Sequence, residues 1–142
     1  RRVGADKLVA VSAPLAAGSK HPRHAVPKLA SDPAVPFLAY ADSMSLGRIL
    51  RDRLRGLCVT AQLQTMYESD LADALHAMAR QGFGLAWLPH TLVEADLRAG
   101  SLVRADSARN DIHMEIRLYQ SVDNAKPLAR QVWGRIEAYA AR

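Results

Sequence analysis

The stretch Met66 to Val103, MYESDLADALHAMARQGFGLAWLPHTLVEADLRAGSLV, decides the fold, because it reads without interruption as helix, glycine turn, buried strand, short helix and second strand. Leu71, Leu75, Met78 and Ala79 recur at helical spacing, with Asp73, His76 and Arg80 on the other side, and Ser69 or Asp70 stands where an N-cap is wanted. Gly82 follows where a helix ends by turning left-handed, which glycine does without a Cβ penalty. Gly84 opens the apolar run Leu85-Ala86-Trp87-Leu88, which is too short for a helix and has no polar face. Such a run predicts a strand covered on both sides of a parallel sheet. Pro89 stops it and suits the first turn of a helix from His90 to Ala99, which Gly100 closes. Leu102-Val103 resumes the sheet.

Upstream, Lys7 to Pro14 reads as a strand ended by proline, followed by an irregular loop, Leu15 to Pro36, carrying four prolines. His21 and His24 fall in that loop without further ligands nearby and read as solvent-exposed. Phe37 to Tyr40 is the next strand. Asp42, Ser43 or Ser45 can cap the helix Leu46 to Leu54, whose free backbone N–H groups also suit a carboxylate or another anion. A strand is expected over Leu57 to Leu63, followed by the loop Tyr67-Glu68-Ser69-Asp70. In an open α/β sheet ligands bind beyond the carboxyl ends of strands, so these two polar loops are expected to converge on one cleft. Downstream, Arg104 to Asp111 is a polar link and Ile112 to Tyr119 alternates like a half-buried strand. Pro127 begins a helix with Leu128, Val132, Ile136 and Tyr139 on its core side and Trp133 beside them.

With 142 residues, 49% of them hydrophobic and 23% charged, the chain is long enough for one domain or two small lobes with a core. No apolar run reaches the length of a membrane span, and Arg1-Arg2-Val3-Gly4 lacks the apolar core of a signal peptide, so a cytoplasmic protein without membrane contact is expected. One cysteine, Cys58, permits no intrachain disulfide and reads as a small buried hydrophobe in a strand. No Cys/His cluster suggests a metal, and no cofactor is expected. The net charge of +5 raises the question of nucleic acid, but Arg48, Arg51, Arg53 and Arg55 lie opposite Leu46, Ile49, Leu50 and Leu54, as on a solvated helix face. His76, His90 and His113 come with no nucleophile elbow, phosphate loop or paired carboxylates, which argues against an enzyme.

The series helix, Gly-Phe-Gly, Leu-Ala-Trp-Leu-Pro, short helix, Gly-Ser-Leu-Val resembles the effector-binding domain of LysR-type transcriptional regulators. The resemblance implies an α/β fold of the type II periplasmic-binding-protein plan, a Rossmann-like lobe with part of its companion lobe missing. Residues 1–14 would hold the strand entering the second regulatory lobe, 15–36 the proline-rich loop, 37–104 the second lobe, and 105–142 the return strand and last helix of the first. A small-molecule effector would lie between the lobes, against Ser43 and Ser45 and against Glu68 and Ser69, with Met44 and Asp70 as neighbours. The chain would then be a fragment that meets DNA only through an absent N-terminal winged helix-turn-helix, and a homodimer or higher homo-oligomer. Tyr40, Gly47-Arg48 and Gly84 to Pro89 are similar to the hypochlorite-responsive regulators of that family, in which methionine oxidation is the trigger. The methionines of that subgroup correspond to Leu46 and Leu71 here, although Met44, Met66, Met78 and Met114 are present. A solute-binding protein of a transport system shares the two-lobed plan and is the reading from a different class.

Overall fold

The computed structural model describes residues 1–55, 57–123 and 126–140, with the side chains of Cys58 and Val59 outside that description. The chain forms two units, Lys7–Ile112 and the smaller Arg1–Asp6 with His113–Arg142. The first strand, β1 (Arg2–Ser12), runs through both. It begins five residues before the expected Lys7, since its polar first half lacks the apolar run that marks the second.

In the larger unit follow β2 (Val35–Tyr40), α1 (Ser45–Leu54), β3 (Leu63–Ser69), α2 (Ala72–Arg80), β4 (Ala86–Pro89), α3 (His90–Ala99) and β5 (Val103–Arg104). β2 and β3 pair in parallel, while β1 pairs antiparallel with both β4 and β5. The Leu38 N–H donates to the Leu85 carbonyl at 2.9 Å and the Leu85 N–H to that of Pro36 at 2.8 Å, in a parallel bridge that joins the two sets. The strand order is therefore β3-β2-β4-β1-β5 with β1 alone reversed, a mixed sheet where the apolar run had suggested a purely parallel one. Burial on both faces is as expected: Leu85, Ala86 and Leu88 are fully buried, with Leu8, Val9, Val11, Leu38, Leu75 and Val93 around them. Gly84 is required by close approach, because a Cβ there would stand 2.7 Å from the Pro36 carbonyl oxygen. Gly82 and Gly100 have φ of +84° and +80°, the left-handed turns that end α2 and the α3 helix.

Several local expectations give way to pairing. Leu57 to Leu63 is not a strand: Cys58–Gln62 forms a 3₁₀ turn, where the Thr60 hydroxyl donates to the Leu57 carbonyl at 3.3 Å. β3 begins only at Leu63, because its register against β2 runs from Val35↔Leu63 to Tyr40↔Ser69. Tyr67, Glu68 and Ser69 are thus strand, not loop. Leu71 precedes α2 and is 62% exposed, leaving Leu75 and Ala79 as that helix's buried contacts. His24 is half-buried, unlike the exposed His21, with its Nε2 3.2 Å from the Gly82 carbonyl oxygen and its backbone N–H donating to Ser12 Oγ at 2.9 Å.

The smaller unit contains the first half of β1, most of β6 (Ile112–Arg117) and α4 (Pro127–Ala140). Arg1 and Leu118 exchange both backbone hydrogen bonds at 2.8 Å. The expected core face of α4 is corrected: Leu128, Val132 and Tyr139 are 71%, 48% and 77% exposed, and no residue of the helix is buried. Its less exposed side is Ala129, Trp133, Ile136 and Ala140.

Candidate functional site

The parallel pairing Tyr40↔Ser69 ends β2 and β3 side by side, and the Ala41 N–H donates to the Ser69 carbonyl at 2.9 Å. The segments Ala41 to Ser45 and Ser69 to Leu71 therefore leave the sheet together. β4 ends at the same end of this sheet, where Pro89 faces Leu8 near the point at which the chain enters the unit.

Three helices start at this end, and none has a side-chain cap. Met44, half-buried and extended, occupies the N-cap position of α1 in place of the expected Asp42, Ser43 or Ser45. Asp42 instead pairs with Arg51 at 2.6 Å, and Ser45 Oγ lies 3.4 Å from the Arg48 guanidinium. Leu71 is the N-cap residue of α2, and Ser69 Oγ accepts its N–H at 3.1 Å, so neither Ser69 nor Asp70 caps that helix. Uncapped first turns present N–H groups and the positive end of the helix dipole. Asp42 is balanced by Arg51, while Asp70 and Asp73 place negative charge near the start of α2.

Ser43, Met44, Ser45, Ser69 and Asp70 share this pair of segments. Glu68, one residue earlier on β3, lines an adjoining cavity of about 260 Å³ with Tyr40, Asp42, Gly47, Arg51 and Thr65. Sequence reading did not single out Tyr40, Arg51 or Thr65 as lining residues, since a strand tyrosine and a helix arginine have ordinary structural uses. The Tyr40 hydroxyl donates to the Trp87 carbonyl at 2.8 Å, and burial pushes its pKa well above the ordinary phenol value.

Behind these segments, α2 and α3 are joined through Asp96, a buried carboxylate. Asp96 lies 2.6 Å from His76 Nε2 and 3.2 Å from Arg80 Nε, and it accepts from the Ser101 hydroxyl at 2.7 Å. Burial works against its charge, but the Ser101 and His76 hydrogen bonds and the charges of His76 and Arg80 outweigh burial and lower its pKa. His76, expected on a polar face, is therefore a fastening between helices. Asp111 likewise takes Lys7 at 2.8 Å and Arg104 at 2.9 Å, which overcome its burial and lower its pKa. Among the described residues no three His, Cys, Asp or Glu side chains gather to hold a metal, and no helix is long and apolar enough to cross a membrane.

The family model described as the LysR substrate binding domain matches residues 1–141. The chain is 28% identical over 105 residues to the HTH-type transcriptional regulator YjiE of Escherichia coli K12, an alignment covering 72% of this chain and 34% of YjiE. It is 27% identical over 103 residues to the HTH domain-truncated transcriptional regulator QseD of Escherichia coli O157:H7, covering 71% of this chain and 41% of QseD. It thus spans well under half the length of both relatives. Full-length HypT of Salmonella typhimurium, described as a hypochlorite-specific LysR-type transcriptional regulator, shares the fold with a TM-score of 0.83 at 24% identity, over 99% of this chain and 46% of HypT. A mixed sheet whose parallel strands end together in polar turns, and a family match running almost from end to end, lead to one assignment: the chain belongs to the LysR substrate binding domain family.

Proposed function

We propose that this chain is the effector-sensing part of a LysR-type transcriptional regulator, holding a small molecule at the carboxyl ends of β2 and β3. The observation that carries the reading is the pair of polar segments tied by the Ala41–Ser69 hydrogen bond, with uncapped first turns of α1 and α2 beside them. Ser43 and Ser45 would hydrogen-bond the effector, with Ser69 and the helix N–H groups beside them, while Glu68 and Asp70 favour a neutral or cationic portion. Met44 would pack beneath it. The larger unit would act as the second regulatory lobe, and the smaller as part of the first. Effector binding regulates only if it favours one arrangement of subunits over another, in a homodimer or larger homo-oligomer whose DNA contacts lie in a further domain. No catalysis is asked of the chain: His76 is committed to Asp96, and His113 belongs to the other unit.

The test is a thermal-shift screen of small polar metabolites against the wild-type chain and a Ser43→Ala/Ser45→Ala/Ser69→Ala variant. A compound that raises the wild-type midpoint but not that of the variant supports the reading. Equal shifts in both contradict the assignment of the serines.

A second reading, oxidant sensing, is favoured by the 62% exposure of Met66 and by Met44 at the start of α1. A sulfoxide at Met44 would put a polar group where a half-buried thioether now lies. Mass spectrometry after hypochlorite treatment tests it. Oxidation at Met44 that leaves helix packing and oligomeric state unchanged would contradict it.

A further inference from the structure

A second cavity of the larger unit, about 770 Å³, is floored by Val26, Leu54, Trp87 and Ile112 and bordered by Arg53 and Arg109. Its volume lies in the range of organic-ligand sites, roughly 300–1,000 Å³. Which charges around it are already committed decides what it suits. Asp111 takes Lys7 and Arg104. Asp106 accepts the Ser107 N–H at 2.7 Å and the Asn110 amide at 3.1 Å. Asp111 is thus neutralised by cations, whereas Asp106 keeps its charge, since its partners are neutral N–H donors.

The arginines of α1 and its C-cap differ in the same respect. Arg48 reaches Ser45, Arg51 pairs with Asp42, and Arg55 pairs with Asp52 at 3.1 Å. Arg53 alone of the four has no side-chain hydrogen bond or ion pair among the described residues, and it alone lines this cavity. The Arg109 guanidinium is likewise without such a partner among the described residues. Lys28 lines the cavity as well, so three cations stand against the one uncompensated carboxylate, Asp106, and the balance over this apolar floor is positive.

We infer that this cavity is a second ligand site, for a small organic anion with an apolar body, such as an aromatic carboxylate. Its carboxylate meets the Arg53 and Arg109 guanidiniums, whose planar forks suit carboxylate oxygens, and its ring covers Leu54 and Trp87. The site is separate from the paired turns. Arg53 is eight residues along α1 from Ser45, about 12 Å at the helical rise.

The experiment is calorimetric titration of the chain with 2-naphthoate. The expected result is saturable one-to-one binding that weakens with added salt and is at least about tenfold weaker in an Arg53→Gln/Arg109→Gln variant. Both guanidiniums are exposed, so that variant is expected to fold, which circular dichroism checks. A Ser43→Ala/Ser45→Ala variant is expected to bind as wild type. Absence of saturable binding at millimolar ligand, or equal affinity in the arginine variant, overturns the inference. Loss of binding in the serine variant alone also overturns it, while leaving the proposed effector site standing.

Discussion

The two units solve the problem of burying apolar side chains to different extents. In the larger, a five-strand mixed sheet is covered by helices, and Leu8, Leu38, Leu75, Leu85, Leu88 and Val93 are wholly inaccessible. In the smaller, no residue of α4 is more than half-buried, and Leu128, Tyr139 and Val122 are 71%, 77% and 100% exposed. Periodicity in the sequence is similar for both. An apolar stripe therefore says which side of an element can be buried, not whether a surface to receive it is present.

Substitutions can break or sharpen that contrast. Leu85→Ala is expected to have the largest effect, about 2–5 kcal/mol, because it opens a cavity in a fully buried strand. Leu128→Ala, the same change on α4, is expected to stay within about 0.5 kcal/mol, as for exposed positions generally. Denaturant unfolding monitored by far-UV circular dichroism measures both, and comparable losses would contradict the contrast. Gly84→Ala comes next, at about 1–3 kcal/mol, since its Cβ would press on the backbone carbonyl of Pro36. A neutral result would mean that β2 and the entry to β4 can separate without cost.

How the larger unit holds its helices has a pH signature. Asp96 and Asp111 have lowered pKa values in the fold, so the unfolded chain binds protons first as pH falls. Their contribution is fully present above the ordinary carboxylate value near ~4 and is lost as pH falls through the lower folded values. Denaturant midpoints measured from pH 7 downward are expected to drop below about pH 4, and less steeply in Asp96→Asn. An identical acid dependence in that variant would remove Asp96 from the explanation. The smallest expected effect on stability is that of Ser43→Ala, within about 0.5 kcal/mol, because Ser43 is exposed; its consequence should appear in ligand affinity instead.

The residues differ in how plainly they announced their places. Gly82, Gly100 and the run Leu85 to Leu88 were legible, because left-handed turns and doubly covered strands restrict residue type directly. The start of β3 was not legible, since Leu57 to Leu63 is apolar enough for a strand and the decision rests on register with β2, a partner more than twenty residues away. The reversal of β1 is equally non-local. For the candidate site, the convergence of two polar segments followed from strand order, but the caps did not. Asp42 suits a cap by residue type, but α1 starts at Ser45, so Asp42 stands two residues ahead of the N-cap position and pairs with Arg51 instead. His76 was misplaced because its partner Asp96 is on another helix.

The most direct measurement is hydrogen–deuterium exchange of the chain with and without a compound found by the thermal-shift screen. The expected result is added protection centred on residues 41–47 and 69–73, where two uncapped helices begin beside the paired turns, and loss of that protection in the Ser43→Ala/Ser45→Ala/Ser69→Ala variant. Protection confined to other segments, or unchanged in the variant, would contradict the placement of the effector at the carboxyl ends of β2 and β3.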